Sequence, residues 1–525
     1  MQTLGKFSSE DHRGDRFVFS LLWNWMGVAA GLFTGLLLSP YLIAKLGPEA
    51  YGLWTLSFAL VEYCSFLDLG FRSAIVKYVA HHSALDEPLG INQTINTGLV
   101  YSGLISTGIF GASVLFSGNL RYFFKVSAAF EHSFHVLILL ISLSWCVGFV
   151  LGLFGACLEA IQRFDLYNKA TAVTTVLRAV GIAVLLYLGH GLIAIGVLVV
   201  FTQCLGYALY FLLFQRTVPS FRLSASYASV ATLRRMASFG MHTFLINLSY
   251  VFLNHSPPVL IGHFLPTAYL AYFQYPMKLI QYTGDAVARI GIITNAHAAE
   301  LQARGDSRAL SELAIYANRY SLAIFMPVAI ALWVYGDRLF RLWVPSIAQY
   351  SAPLLPILLT GYMAAVVPQF SSGMLLQGLG RHQRFARGLL AEAVAVVFLL
   401  VLFIPRFGIV SAAWVTAICM VLNRGIFAAW LVSRELRFSF LHVIHSIYTW
   451  PVIAGLPVAA LAYLLKISFL PGLTWFQLFT AGIIIAVTYF GLAFFLCLPP
   501  SGRSRLVMLA LRILPFRTLR RTSSL

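Results

Sequence analysis

Apolar residues recur in runs of 18 or more along nearly the whole chain, separated by short polar stretches. Each run is long enough to cross a hydrocarbon core of about 30 Å as a helix. A backbone in lipid must satisfy its own hydrogen bonds, and runs of this length do so as helices, not barrel strands. The pattern predicts fourteen spans, at about 17–38, 51–69, 92–118, 134–160, 167–188, 191–214, 239–262, 268–288, 313–335, 352–378, 386–404, 408–432, 447–466 and 474–497. The segments between them leave no room for a separate soluble domain. The fold class is therefore an all-α polytopic membrane protein.

Composition agrees. Residues are 59% hydrophobic and 10% charged, against roughly 25% charged in an average soluble domain. A net charge of +18 raises the question of nucleic acid, which the positions of the charges answer. With the N-terminus inside, seven of the 36 Lys and Arg fall outside (Lys45, Arg121, Lys125, Arg338, Arg341, Arg406 and Lys466) and four within spans (Arg178, Lys278, Arg289 and Arg424). The remaining 25 lie in cytoplasmic segments. That asymmetry is the positive-inside rule, so the charge reports topology in an inner membrane with both termini cytoplasmic, not nucleic acid. The first span exceeds a signal peptide's apolar region and is expected to be retained. The six cysteines, without paired spacing, read as apolar filler.

The chain repeats itself. "PYLIAKLGPEAYG" at Pro40–Gly52 and "PVLIGHFLPTAYL" at Pro258–Leu270 share six of thirteen residues. "LEAIQR" at Leu158–Arg163 parallels "LQGLGR" at Leu376–Arg381, and "GLIAIG" at Gly191 parallels "GIVSAA" at Gly408. The expected organisation is a cytoplasmic tail (1–16), an N-lobe of six helices (17–216), an interfacial linker (217–238), a C-lobe of six helices (239–432), an extra helix pair (433–497) and a basic cytoplasmic tail (498–525). Six is even, so the lobes cross in the same sense, the parallel-repeat layout of transporters that work by alternating access. Duplication that merely built a large bundle is the simpler alternative.

The stretch "LGPEAYGLWTLSFALVEYCSFLDLGFRSAIVKYVA", Leu46–Ala80, resembles the signature of bacterial polysaccharide flippases of the Wzx type, in its Leu-Gly-x-x-x-Tyr-Gly-x-Trp start and Leu-Asp-Leu-Gly-Phe end. These proteins share a superfamily with multidrug and toxic-compound extruders and the lipid II flippase. The span count and the layout of two six-helix lobes with an added pair agree with that family over essentially the whole chain. The resemblance implies a flippase for O-antigen or exopolysaccharide precursors. It would move a polyprenyl-pyrophosphate-linked oligosaccharide from inner to outer leaflet, alongside polymerase and export machinery.

A charge in a helix centre costs several kcal/mol, so each needs a partner or a function. In span 8, Gln274, Lys278, Gln281, Asp285 and Arg289 are spaced by four, three, four and four, one stripe down a helix. Span 7 carries Thr243, Asn247, Tyr250 and Asn254 on one face, and span 1 carries Asn24, Gly27, Gly31 and Thr34. These faces suit a shared polar cavity, with Lys278 near mid-depth as a compact cation for pyrophosphate. Static ion pairing of Lys278 and Asp285 is the alternative. Span 2 is acidic instead. Glu62 is a candidate to bind a proton or Na⁺, or else to pair with Arg178 in span 5. Asp68 is either a further coupling carboxylate or a helix-end anchor. Glu392 and Arg424, at similar depth in spans 11 and 12, read as a structural ion pair.

Phe71–His82 and Phe221–Ser238 read as interfacial helices, and the tail Arg503–Arg521 as a contact for anionic lipid. The histidine pairs lack a ligand set, so no metal is expected. No P-loop is present, and no cofactor is implied. Two alternatives stand beside the flippase: an ion-coupled exporter of small amphipathic cations, and a membrane polysaccharide polymerase or ligase. The longest external loops, near Asn119–Ser133 and Gly336–Ser351, carry no paired carboxylates, which argues against catalysis.

Overall fold

The structure is a computed structural model that describes residues 35–367, 372–381, 383–468 and 474–500, with isolated positions beyond. Residues 35–62 are helical on both sides of a turn at Gly47, labelled α1 before it and α2 after it. A 3₁₀ segment, Tyr63–Asp68, leads to α3 (Phe71–Ala84), α4 (Pro88–Phe116), α5 (Glu131–Leu151), α6 (Leu153–Ala160), α7 (Phe164–Tyr187) and α8 (Leu192–Thr217). Then come α9 (Val230–Phe264), α10 (Ala268–Ala303), α11 (Ser307–Trp343), α12 (Leu354–Val367) and α13 (Gly373–Gly378). The chain ends with α14 (Gln383–Met420), a π-helical segment Val421–Phe427, α15 (Ala428–Glu435), α16 (Phe440–Ser468) and α17 (Trp475–Leu496). From the second onward, the described residues of each expected span fall largely on helix, and the first is described only from residue 35. The boundary expected between spans 11 and 12 is a kink in α14 at Gly408, whose φ of 66° no helix interior adopts.

Nine described helical stretches are apolar and long enough to cross a membrane. α10 is not one of them, because its polar row dilutes an otherwise apolar helix. Outward faces are oily. On α7 the exposed side chains include Val173, Val176, Val180 and Val184, and on α17 Phe476, Phe479, Ile483, Val487 and Phe490. Both sets recur at helical spacing, the reverse of a water-facing helix and the arrangement lipid requires.

The chain forms two compact units. One comprises the residues up to Gln274 with Leu389–Ala412; the other comprises Tyr275–Gly388 and the residues from Ala413 on. In the first, α3, α4, α6 and α8 share a core around Ile75, Ile95, Phe154 and Phe214, which Met236 of α9 completes. In the second, α11, α16 and α17 pack around Met326, Tyr335, Ala454 and Ile485. There the Tyr335 hydroxyl donates to the Ala462 carbonyl at 2.8 Å, and Lys466 Nζ reaches Asp337 Oδ1 at 2.9 Å.

Two stretches depart from the sequence reading. Phe221–Ser238 divides: it is an irregular strap to Ser229, and α9 begins at Val230 and runs on into span 7. The buried side chains of α4 hold the strap down. Asn92 accepts from Arg222 N (2.7 Å) and donates to Ser220 O; Asn96 accepts from Ser224 N (2.9 Å) and donates to Arg222 O. Those bonds take up backbone groups that a helix would have used internally. Gly336–Ser351 is helical to Trp343 and not an open loop. Phe71–His82, by contrast, lies within the single helix α3.

The repeat is visible at atomic detail. Arg163 N donates to Leu158 O and Arg381 N to Leu376 O, each at 2.9 Å, while Gln162 (φ 58°) and Gly380 (φ 66°) hold the same left-handed position. The same helix-closing Schellman turn is thus built twice.

Candidate functional site

The Leu-Asp-Leu-Gly-Phe end of the motif is a turn between two helices. Leu69 (φ 46°) and Gly70 (φ 76°) are both left-handed, and Asp68 Oδ1 accepts from Arg72 N at 3.3 Å, tying down the start of α3. Arg72 reaches Glu159 at the end of α6 at 3.0 Å, so the motif also fastens α3 to its neighbour. Arg163 pairs instead with Asp165, at 2.9 Å. At its other end, Gly52 packs directly on the Thr267 carbonyl, a contact that leaves no room for a Cβ. The two copies of the repeated turn therefore touch.

From that second turn rise α9 and α10, which carry the predicted polar faces. On α9, Ile246, Ser249, Leu253 and Ser256 are buried, and the Tyr63 hydroxyl bonds Ser256 Oγ at 2.6 Å. Asn247 and Asn254 lie on the opposite, exposed side, with Tyr250 half-buried between them. On α10 the buried row is Leu270, Phe273, Ile280 and Val287. Gln274, Lys278 and Gln281 are half-buried and Asp285 is exposed, so these four line the accessible face. Pro276 contributes no backbone N–H to the helix beside Lys278. Asn24 and the side chains of Thr243 and Arg289 lie outside the described residues.

The acidic candidates occupy the first unit. Among the described residues Glu62 makes no ion pair, and Arg178 donates to Thr202 Oγ1 at 3.1 Å; the two are not bonded to each other. Glu392 and Arg424 are buried at 4% and 3% exposure. Arg424 sits in the π-helical segment, which sequence periodicity missed; the Asn423-Arg424-Gly425 interruption of an apolar run is the signal that was available. π turns inside long helices frequently mark functional sites. Gly361 and Gly425 let α12 approach this region closely, since a Cβ on either would meet Ala417 or Ala364. Among the described residues no group of three or more metal-binding side chains gathers, and the six cysteines are free thiols.

Apolar helices with oily exteriors and polar rows on two of the spans define a multi-pass membrane protein. Solved structures share its fold. Lipid II flippase MurJ in an inward closed conformation superposes with a TM-score of 0.71 at 12% identity, covering 91% of this chain and 99% of that one. An inward-facing multidrug resistance MATE transporter of the MOP superfamily gives 0.66 at 14% identity, covering 80% and 95%. The chain belongs to the polysaccharide biosynthesis protein family, whose model matches residues 44–346. A candidate O-antigen transporter of Shigella flexneri is 24% identical over 438 residues, 79% of this chain and 97% of the relative.

Proposed function

We propose that this protein flips a polyprenyl-diphosphate-linked oligosaccharide from the inner to the outer leaflet of the cytoplasmic membrane, for cell-surface polysaccharide synthesis. The observation that carries the reading is the accessible row Gln274, Lys278, Gln281 and Asp285 on α10, in a chain of a polysaccharide biosynthesis family. A lysine at the centre of a span costs about 2.5–3.5 kcal/mol on insertion scales, which argues for a water-filled path and against a lipid-facing row. In this reading Lys278 and Arg289 meet the diphosphate, and Asp285 keeps the row from binding anions irreversibly. The amides of Gln274, Gln281, Asn247, Asn254 and Asn24 exchange hydrogen bonds with sugar hydroxyls.

The internal repeat supports alternating access, with 17–216 and 239–432 as the moving lobes, 433–497 as an appended pair and both termini cytoplasmic. Glu62, Asp68 and Arg178 are the candidates for coupling to an ion gradient, and Glu392 with Arg424 for a structural pair. The likeness to the MATE fold, together with Glu62, supports a second reading, ion-coupled export of small amphipathic molecules.

Depletion of the protein followed by mass spectrometry of extracted lipids separates the two. Accumulation of a completed lipid-linked repeat unit, cleared by wild type and not by Lys278→Gln at equal protein level, is the expected result. No accumulation while the glycan pathway runs would refute the flippase reading and favour small-molecule export.

A further inference from the structure

Away from the α9–α10 row, a cluster of cations stands on the face where α3 meets the first turns of α9. Lys77 Nζ lies 4.0 Å from the centre of the Phe239 ring and 5.3 Å from that of Tyr78. The Arg235 guanidinium lies 5.1 Å from the same Tyr78 ring. Tyr78 and Phe239 meet edge to face at 6.3 Å, so one aromatic pair gathers two positive charges. Arg234 is exposed next to them. Among the described residues none of these three cations bonds a carboxylate. The acidic residues nearest in sequence lie outside both ends of α3: Asp68, which accepts from Arg72 N, before it, and Asp86 and Glu87 after it, where Glu87 is engaged by His82 at 2.7 Å.

Like charges repel unless something offsets them. The ring faces hold each cation in place by cation–π attraction but cannot neutralise it. The cluster is therefore preorganised and exposed, and among the described residues no carboxylate neutralises it. Both cations lie within 5.3 Å of the centre of the one Tyr78 ring, so two positive charges are held in one neighbourhood, an arrangement that attracts a multiply charged anion. An apolar side chain adjoins it: Val230, one turn before Arg234 on α9, is 74% exposed. The charge distribution puts this face on the cytoplasmic side of the membrane, at headgroup depth.

We infer that Lys77 and Arg235, with Arg234 beside them, form a docking site for the diphosphate headgroup of a polyprenyl carrier lipid at the cytoplasmic surface, before the lipid enters the transport path. The inference rests on the flippase reading above and adds a second, outer site to it. Lys77 and Arg235 contact the diphosphate, and Val230 lies against the isoprenoid chain.

The test uses the full chain purified in detergent, titrated in native mass spectrometry with farnesyl diphosphate and, separately, with phosphatidylglycerol as a monoanionic comparison. K77Q/R235Q is expected to weaken farnesyl diphosphate binding by about tenfold, and K77R/R235K by less than about threefold. Phosphatidylglycerol binding is expected to change by less than about threefold in K77Q/R235Q. Unchanged farnesyl diphosphate affinity overturns the assignment, and so does an equal loss for both lipids, which would make the patch a general anionic-lipid contact. The single variant R235Q, which leaves Lys77 on its rings, provides the same reading if the double variant unfolds. Lys278→Gln is measured in parallel. Loss of binding there, with none in K77Q/R235Q, leaves the proposed function standing and overturns this site alone.

Discussion

Gly52→Ala tests the contact between the two copies of the repeated turn. An alanine methyl group at that position would run into the carbonyl oxygen of Thr267, with the Thr267 carbonyl carbon at 2.6 Å and the Ala268 nitrogen at 3.4 Å. All three obstacles are backbone, so no rotamer change relieves the clash and the second turn itself must move. Two effects oppose. Alanine is the better helix former by about 1 kcal/mol, whereas overpacking a close contact costs about 1–3 kcal/mol, and a backbone obstacle belongs at the upper end. The net expectation is a loss of about 1–2 kcal/mol. Gly482→Ala is the control: it lies in α17 with nothing within 4 Å of the added methyl, so only the propensity gain operates there. Thermal unfolding of both purified variants in detergent, with clearance of lipid-linked glycan measured in cells, makes the comparison. Gly52→Ala should melt below wild type and clear less, while Gly482→Ala should match or exceed it. A Gly52→Ala protein as stable and active as Gly482→Ala would refute the packing of one turn on the other.

The strap over α4 depends on two buried amides, so Asn92→Ala or Asn96→Ala should each cost about 1–3 kcal/mol in a thermal melt, with less than additive loss in the double variant because they hold the same strand of chain. The twice-built helix-closing turn predicts opposite signs: Gln162→Gly should stabilise by up to about 1 kcal/mol, and Gly380→Ala should destabilise by about 1 kcal/mol, both read as shifts in melting temperature. Topology is checked by cysteine labelling in a background lacking the six native thiols. Lys45→Cys should react with an impermeant maleimide in intact cells, and Ser226→Cys only after permeabilisation; the reverse pattern would invert the orientation. Loss of Arg72→Ala's ion pair to Glu159 should cost no more than about 1 kcal/mol, since half of the arginine side chain is exposed.

The helical membrane class, the positions of the spans and the existence of a repeat follow from the sequence alone. Each is a matter of one-dimensional pattern: the length of apolar runs, the alternation of charge across loops, and recurrence at a fixed offset. The polar rows were legible for the same reason, since four residues spaced by four, three and four on α10 share a face whatever the helix packs against. Other features depend on neighbours distant in sequence. That Phe221–Ser229 is a strap and not a helix was decided by Asn92 and Asn96, more than a hundred residues earlier, which offer its backbone better partners than its own turn would. The π-helical turn around Arg424 breaks the regular period that sequence reading assumes. The pairing of Arg72 with Glu159, where Arg163 stood closer along the chain, was likewise settled by packing. The gathering of Lys77 and Arg235 on Tyr78 joins two helices that the sequence separates by about 150 residues. Local periodicity tells which face of a helix is polar; only the fold, which brings faces from different helices together, decides what that face meets.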